Sequence, residues 1–172
     1  MSREFVDVSS QEFSEVSDYI KKTFRTTCII SIEKIYNPVL DMAYEERKAD
    51  YKVRHGCDKE VRVFHGTKDA SVDSIVRDGF DVKYSRIAAY GIGTYFATHF
   101  STSTSYVNID NEDHSFIFIC KILPGRQGSA GSGQQIDRSK YDSSSGAGCI
   151  YSIPQNDAIK LEYLVRFYLN AK

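Results

Sequence analysis

His65, Gly66, Thr67, Tyr95, Ser103 and Tyr106 carry groups whose types and spacing suit a cleft for a flat, amide-bearing ring. His65-Gly66-Thr67 follows the short alternating run Val61-Arg62-Val63-Phe64, so the histidine stands at a predicted strand end beside a glycine. A glycine leaves its N–H and C=O clear of any side chain, and one donor beside one acceptor matches the two ends of a carboxamide. Tyr95 and Tyr106 lie eleven residues apart across a predicted strand-to-helix turn, where they can bracket a ring. Such a contact contributes about 1–3 kcal/mol by analogy with base stacking. Ser103 precedes Tyr106 by one helical turn, which puts its hydroxyl on the same face. Taken singly, a strand-end histidine and two tyrosines are ordinary packing residues. Their concentration within residues 61–106 is what points to a site.

The elements that must position these groups follow from pattern. Ser9-Ser10-Gln11-Glu12 is a capping box, and Phe13, Val16, Tyr19, Ile20 and Phe24 then recur at helical spacing, predicting a helix over 10–24. Cys28–Tyr36 alternates as a half-buried strand. Asn37-Pro38 ends it and starts a second helix, with asparagine as cap and proline at the first helical position. A third helix is expected over 70–78, closed by Gly79, and 81–90 reads as a loop. Thr94–Ala97 is a short strand, and 101–106 is expected to open a helix capped by serine or threonine. The run 115–124 is apolar on both faces and so belongs at the centre of a sheet. Residues 125–148, rich in Gly, Ser and Gln, read as irregular, before strands over 149–154 and 158–169. Helices first and mainly antiparallel strands afterwards give an α+β fold in one domain over 1–172, with an N-terminal helical part (1–26) and a core (27–172).

Gly91-Ile92-Gly93 opens like a dinucleotide fingerprint, but Phe96 stands where the third glycine is required and no long helix with an acidic ribose ligand follows. These glycines read instead as a sharp turn or a close backbone approach. The four cysteines, Cys28, Cys57, Cys120 and Cys149, form no Cys-x-x-Cys pair, which argues against a structural zinc site and for reduced thiols in the cytoplasm or nucleus. A net charge of −1 over 172 residues gives no field for duplex nucleic acid, although a nucleic-acid end needs only a local patch. The charged start Met1-Ser2-Arg3-Glu4 and the absence of a long apolar run predict neither a signal peptide nor a membrane span.

The chain resembles the catalytic domain of the poly(ADP-ribose) polymerase-like ADP-ribosyltransferases over most of its length. The motifs are Ile32-Glu33-Lys34-Ile35-Tyr36-Asn37-Pro38, Phe64-His65-Gly66-Thr67, Gly79-Phe80, Gly91-Ile92-Gly93-Thr94-Tyr95-Phe96-Ala97, Ser103 with Tyr106, and Glu162-Tyr163-Leu164. It is most similar to the mono-ADP-ribosylating branch often found behind macrodomains. The resemblance implies two packed, mainly antiparallel sheets with flanking helices and an NAD⁺ site. His65 would bind the riboses, and the Gly66 backbone with the Ser103 hydroxyl would bind the nicotinamide carboxamide. Tyr106 would stack on the ring while Tyr95 closes its other side, and 64–67 would grip the donor. Residues 81–90 would be a donor loop over the adenosine half.

The family's glutamate lies thirteen residues before the tyrosine of Glu-Tyr-Leu; counting back from Tyr163 reaches Ile150. An isoleucine cannot accept a hydrogen bond from the ribose hydroxyl that must be activated for chain growth, so the resemblance implies transfer of single units. Acceptors would be proteins, including this one. Glu162, Asp157 and Asp113 are alternative bases only by proximity in sequence. Two other readings stay open: a silent NAD⁺- or ADP-ribose-binding domain, and modification of terminal phosphates on nucleic acid.

Overall fold

The protein is described by a computed structural model covering residues 1–84, 89–110 and 113–169; residues 85–88 of the expected donor loop lie outside the described residues. Nine strands are present among the described residues: β1 (Ser2–Phe5), β2 (Cys28–Tyr36), β3 (Val61–Thr67), β4 (Thr94–Ala97), β5 (His114–Ile122), β6 (Gln127–Gly128), β7 (Ser143–Gly146), β8 (Ile150–Ile153) and β9 (Ile159–Tyr168). Four α-helices accompany them: α1 (Gln11–Lys21), α2 (Pro38–His55), α3 (Val72–Asp78) and α4 (Phe100–Ser103).

The strands hydrogen-bond in the order β1-β2-β9-β5-β3-β4-β8-β7-β6, all antiparallel except β6 with β7. The two halves anticipated from the resemblance therefore form one ladder, joined by a single residue pair, Phe64↔Ala97. One face of the larger half packs Val16 and Ile20 of α1 and Phe100 of α4 on Phe64, Ile117, Ile119, Val165 and Phe167. The opposite face packs Tyr44 and Tyr51 of α2 and Val72 and Val76 of α3 on Val63, Phe118, Ile122 and Leu164. Apolar residues on both faces of β5 place it centrally, between β9 and β3.

Local signals fix the helix ends. Ser10 Oγ accepts the Phe13 N–H at 3.1 Å. Asn37 Oδ1 accepts the Leu40 N–H at 3.3 Å, while its Nδ2 donates to the Val76 and Arg77 carbonyls, so one side chain caps α2 and the end of α3 together. Three expectations change. β3 continues through Thr67 because Gly66 and Thr67 pair with Ile117 and Phe116, so His65 lies inside the strand. The helix expected at 101–106 is instead the short α4 followed by a 3-10 turn, Thr104–Tyr106, and its N-cap His99 makes no capping bond. Burial of Phe100 and a hydroxyl from a distant residue, Thr23 Oγ1 accepting the Phe100 N–H at 2.9 Å, mark where α4 begins. Finally, 125–148 contributes β6 and β7, and residues 2–5 add an edge strand that no pattern announces.

Glu162-Tyr163-Leu164 is a structural device. Ile119 pairs with Tyr163 and Cys120 with Leu161, which leaves Glu162 as the extra residue of a bulge. Arg62 Nε donates to Glu162 at 2.6 Å while its guanidinium lies over the rings of Tyr19 (5.0 Å) and Tyr163 (5.5 Å). The Tyr163 hydroxyl donates to Glu12 of α1 at 2.6 Å, and Lys34 binds the same carboxylate oxygen at 2.8 Å. Arg62→Ala strips Glu162 of its nearer cation, leaving Lys121 at 3.7 Å. A loss of about 2–4 kcal/mol is expected in denaturant unfolding, below the full penalty for an isolated buried charge. Unchanged stability would contradict this role.

Candidate active site

Strand β3 presents His65 between aromatic walls. The ring lies 4.6 Å from Phe80 and 5.4 Å from Phe96, and Nδ1 is 2.7 Å from the Tyr95 carbonyl oxygen. A carbonyl only accepts, so Nδ1 carries the proton and Nε2 presents a lone pair. Burial pushes the imidazole down to about 4, against the opposing pull of the Tyr95 carbonyl. At neutral pH His65 is thus an uncharged acceptor at Nε2, suited to a hydroxyl. The sign of the linkage follows. The unfolded histidine takes up a proton near its ordinary 6.5 and the folded one only near 4. Stability therefore falls as pH drops across that window and is flat with respect to His65 above it. Melting at stepwise pH should show this decline, and His65→Gln should lack that component.

Gly66 owes its identity to packing. A Cβ there would stand 2.1 Å from the Ser103 carbonyl oxygen and 3.2 Å from Val107. Only a glycine lets the end of α4 settle on β3, which brings Ser103 and Tyr106 to the strand. Backbone groups alternate along a strand. Phe64 turns its carbonyl to Ser103 and pairs with Ala97. Gly66 lies two residues on, beyond the Phe64↔Ala97 pair through which β3 meets β4. The Ser103 hydroxyl, 2% exposed, donates to Phe64 O at 3.1 Å. In that rotamer it can accept an amide N–H, whereas donating to an amide oxygen requires it to turn. Thr67 is buried opposite Phe116.

Tyr106 ends the 3-10 turn three residues after Ser103, about one turn at three residues per turn, and is 42% exposed. The Tyr95 ring is half-buried, and its hydroxyl accepts the Tyr90 N–H at 2.7 Å and donates to Gly91 O at 2.8 Å. Desolvation raises the Tyr95 phenol, and Tyr106 contributes in the same direction. A cavity of about 170 Å³ lined by Leu40, Gly79, Phe80 and Leu161, and another of about 460 Å³ bounded by Arg3, Asp73, Asp110 and Arg166, include none of the six residues.

Ile150 opens β8 directly opposite Ala97, itself opposite Phe64, so it lies two strands across from the His65-Gly66 segment. Ile150, Tyr151, Ser152 and Ile153 bring no carboxylate to that strand. Two of the three alternative bases are engaged elsewhere. Asp157 receives both Arg47 Nε (3.1 Å) and Nη2 (2.6 Å), and Glu162 holds Arg62. Asp113 is an exposed turn residue at φ +63° before β5. Among the described residues no group of three His, Cys, Asp or Glu side chains is placed to hold a metal ion, and no helix is long and apolar enough to cross a membrane.

Sequence reasoning missed Phe80 as a wall of the histidine, and Ser144 and Ser152 as donors to the Tyr90 and Gly91 carbonyls. Phe80 was within reach, as the apolar residue directly after the helix-ending Gly79. The two serines carry no pattern.

His65 and Gly66 thus lie on β3, and Tyr95 lies on the adjoining β4. The chain belongs to the family of the poly(ADP-ribose) polymerase catalytic domain, whose model matches residues 10–160. Transferases of this family use NAD⁺ as the ADP-ribose donor. The chain is 31% identical to the human protein mono-ADP-ribosyltransferase PARP14, over 68% of this chain and 7% of that one. It is 29% identical to human protein mono-ADP-ribosyltransferase PARP12, over 68% of this chain and 17% of that one. It is also 27% identical to a probable poly [ADP-ribose] polymerase of Dictyostelium discoideum, over 94% of this chain and 51% of that one. The chain thus spans a small part of the two human relatives and about half of the third.

Proposed function

We propose that this domain is a mono-ADP-ribosyltransferase, moving one ADP-ribose from NAD⁺ to a protein side chain and releasing nicotinamide. The observation that carries this reading is Ile150: β8 brings no carboxylate for chain growth, while the bonds of His65 Nδ1 to Tyr95 O and of Ser103 Oγ to Phe64 O support a donor site beside β3. Two of the relatives bear mono-transferase names.

In this mechanism the carboxamide bridges the Gly66 N–H and C=O and reaches Ser103, and the ring lies between Tyr106 and Tyr95. The His65 Nε2 lone pair accepts from a ribose hydroxyl and fixes the sugar. The C1′–nitrogen bond breaks with its electron pair going to the departing nicotinamide, which leaves neutral, while positive charge develops on the ribose. Fixed dipoles already aimed at the carboxamide lower the cost of that separation. A nucleophile on the acceptor closes on C1′. A substrate carboxylate arrives ionised and needs no base, which suits a site with isoleucine at position 150.

The chain should incorporate label from NAD⁺ onto itself or a partner with nicotinamide released in equal amount. The same Ile150 also favours a second reading, NAD⁺ binding without turnover. Calorimetric binding with no nicotinamide release would establish it. The four unpaired cysteines suit a reducing compartment, and we place the protein in the cytoplasm or nucleus on that basis.

A further inference from the structure

Three hydroxyls lie in one row across three strands, and all are spent on the same turn. Ser144 of β7 stands opposite Ser152 of β8, and Ser152 stands opposite Tyr95 of β4. Ser144 Oγ donates to the Tyr90 carbonyl. Ser152 Oγ donates to the Gly91 carbonyl at 3.1 Å, and the Tyr95 hydroxyl donates to that same oxygen at 2.8 Å. The Tyr90 N–H returns to the Tyr95 hydroxyl at 2.7 Å, so three consecutive peptide units are held by this set of bonds. Both serines are buried, at 2% and 0% exposure, where an unmade hydrogen bond costs most.

The glycines of Gly91-Ile92-Gly93 make this contact close. Gly91, at φ +94°, would drive a Cβ to 2.6 Å from Ala130 and 3.2 Å from Ser144 Oγ. A Cβ on Gly93 would stand 2.4 Å from Ser152 Oγ, and one on Gly146 would enter the Tyr90 ring. The Ile92 N–H donates to Gln134 O at 2.8 Å, which ties the turn to the neighbouring segment as well. The glycines thus serve a clamp beneath the turn rather than a phosphate.

We infer that Ser144 and Ser152 are positioning residues for the NAD⁺ site: they fix the turn at Tyr90 and Gly91 and, through Gly91, hold the hydroxyl end of Tyr95. Neither touches the reacting atoms. The inference rests on the NAD⁺-site reading above and extends it to which part of the ligand each group controls. Ser144 acts only on the Tyr90 carbonyl, at the turn. Ser152 acts on the carbonyl that it shares with Tyr95, so it also bears on the nicotinamide wall.

The test is calorimetric titration of NAD⁺ and, separately, of nicotinamide into the wild type, Ser144→Ala and Ser152→Ala, with thermal midpoints alongside. Ser144→Ala should weaken NAD⁺ about fivefold to tenfold and leave nicotinamide within about twofold, about what loss of one net hydrogen bond predicts. Ser152→Ala should weaken both ligands. Where activity is measurable, Ser144→Ala should raise KM for NAD⁺ with little change in kcat. Unchanged NAD⁺ affinity in both variants, or parallel loss of both ligands in Ser144→Ala, would overturn the inference. Should Ser144→Ala fold poorly, Ser144→Cys keeps the shape with a weaker donor and should fall between the two. A wild type that binds neither ligand defeats the NAD⁺-site reading itself, which separates the two failures.

Discussion

Gly66→Ala is expected to eliminate nicotinamide and NAD⁺ binding and to lower stability by about 1–3 kcal/mol or more, the range for overpacking. The added carbon would meet Ser103 O at 2.1 Å, a backbone atom that cannot swing aside. Either α4 lifts from β3 or the strand is displaced. Lifting α4 removes Ser103 and Tyr106 from the cleft together, and displacing the strand misaligns the Gly66 amide pair. Gly56→Ala is the matched control. It also strains a positive φ (+65°), but at the end of α2 with open space around it. It should lose stability and keep ligand affinity. Thermal midpoints and nicotinamide titration of both variants check this; an alanine at position 66 that binds normally would remove Gly66 from the site.

His65→Ala is expected to lower label transfer on the order of 100-fold, the penalty for misplacing a reacting group. It removes the Nε2 acceptor and also the bond to the Tyr95 carbonyl, so positioning and recognition fail together. His65→Asn separates the two, because its amide can still donate toward Tyr95 O but offers nothing where Nε2 stood. A variant with the fold of the wild type and the transfer rate of the alanine mutant assigns the effect to Nε2. Wild-type transfer by His65→Asn would show that only the Tyr95 link matters. Since the imidazole is neutral down to about 4, transfer should show no histidine inflection between about pH 6 and 8.

The sequence showed most of the frame wherever one residue's chemistry acts locally. The Ser10 cap, the Asn37-Pro38 start of α2 and the two-sided apolar run of β5 were all legible, because each is decided within a few residues. β7 was not. Its sequence, Ser-Ser-Ser-Gly, carries no hydrophobic alternation, and Ser143 and Ser144 are buried because their hydroxyls find the Pro124 and Tyr90 carbonyls. Polar burial of that kind depends on partners nineteen and fifty-four residues away. β1, exposed at all four residues, forms only because β2 offers an edge.

The site divides in the same way. Spacing brought out His65, Gly66, Tyr95, Ser103 and Tyr106, and the sheet gathers them around β3. The reason for Gly66, contact with a helix end some forty residues later, was not in the local sequence. Nor was the prior engagement of Ser103 with Phe64. Ile150 was reached by counting, and the register Phe64↔Ala97↔Ile150 puts it in the sheet beside the cleft.

Intact-mass analysis of the protein and its acceptors after incubation with NAD⁺ tests the central claim most directly. The account predicts adducts of one ADP-ribose per modified residue, with one nicotinamide released for each and on the order of 100-fold less formed by His65→Ala. A ladder of repeated ADP-ribose units on one residue would contradict it, because Ile150 offers nothing to activate a growing end.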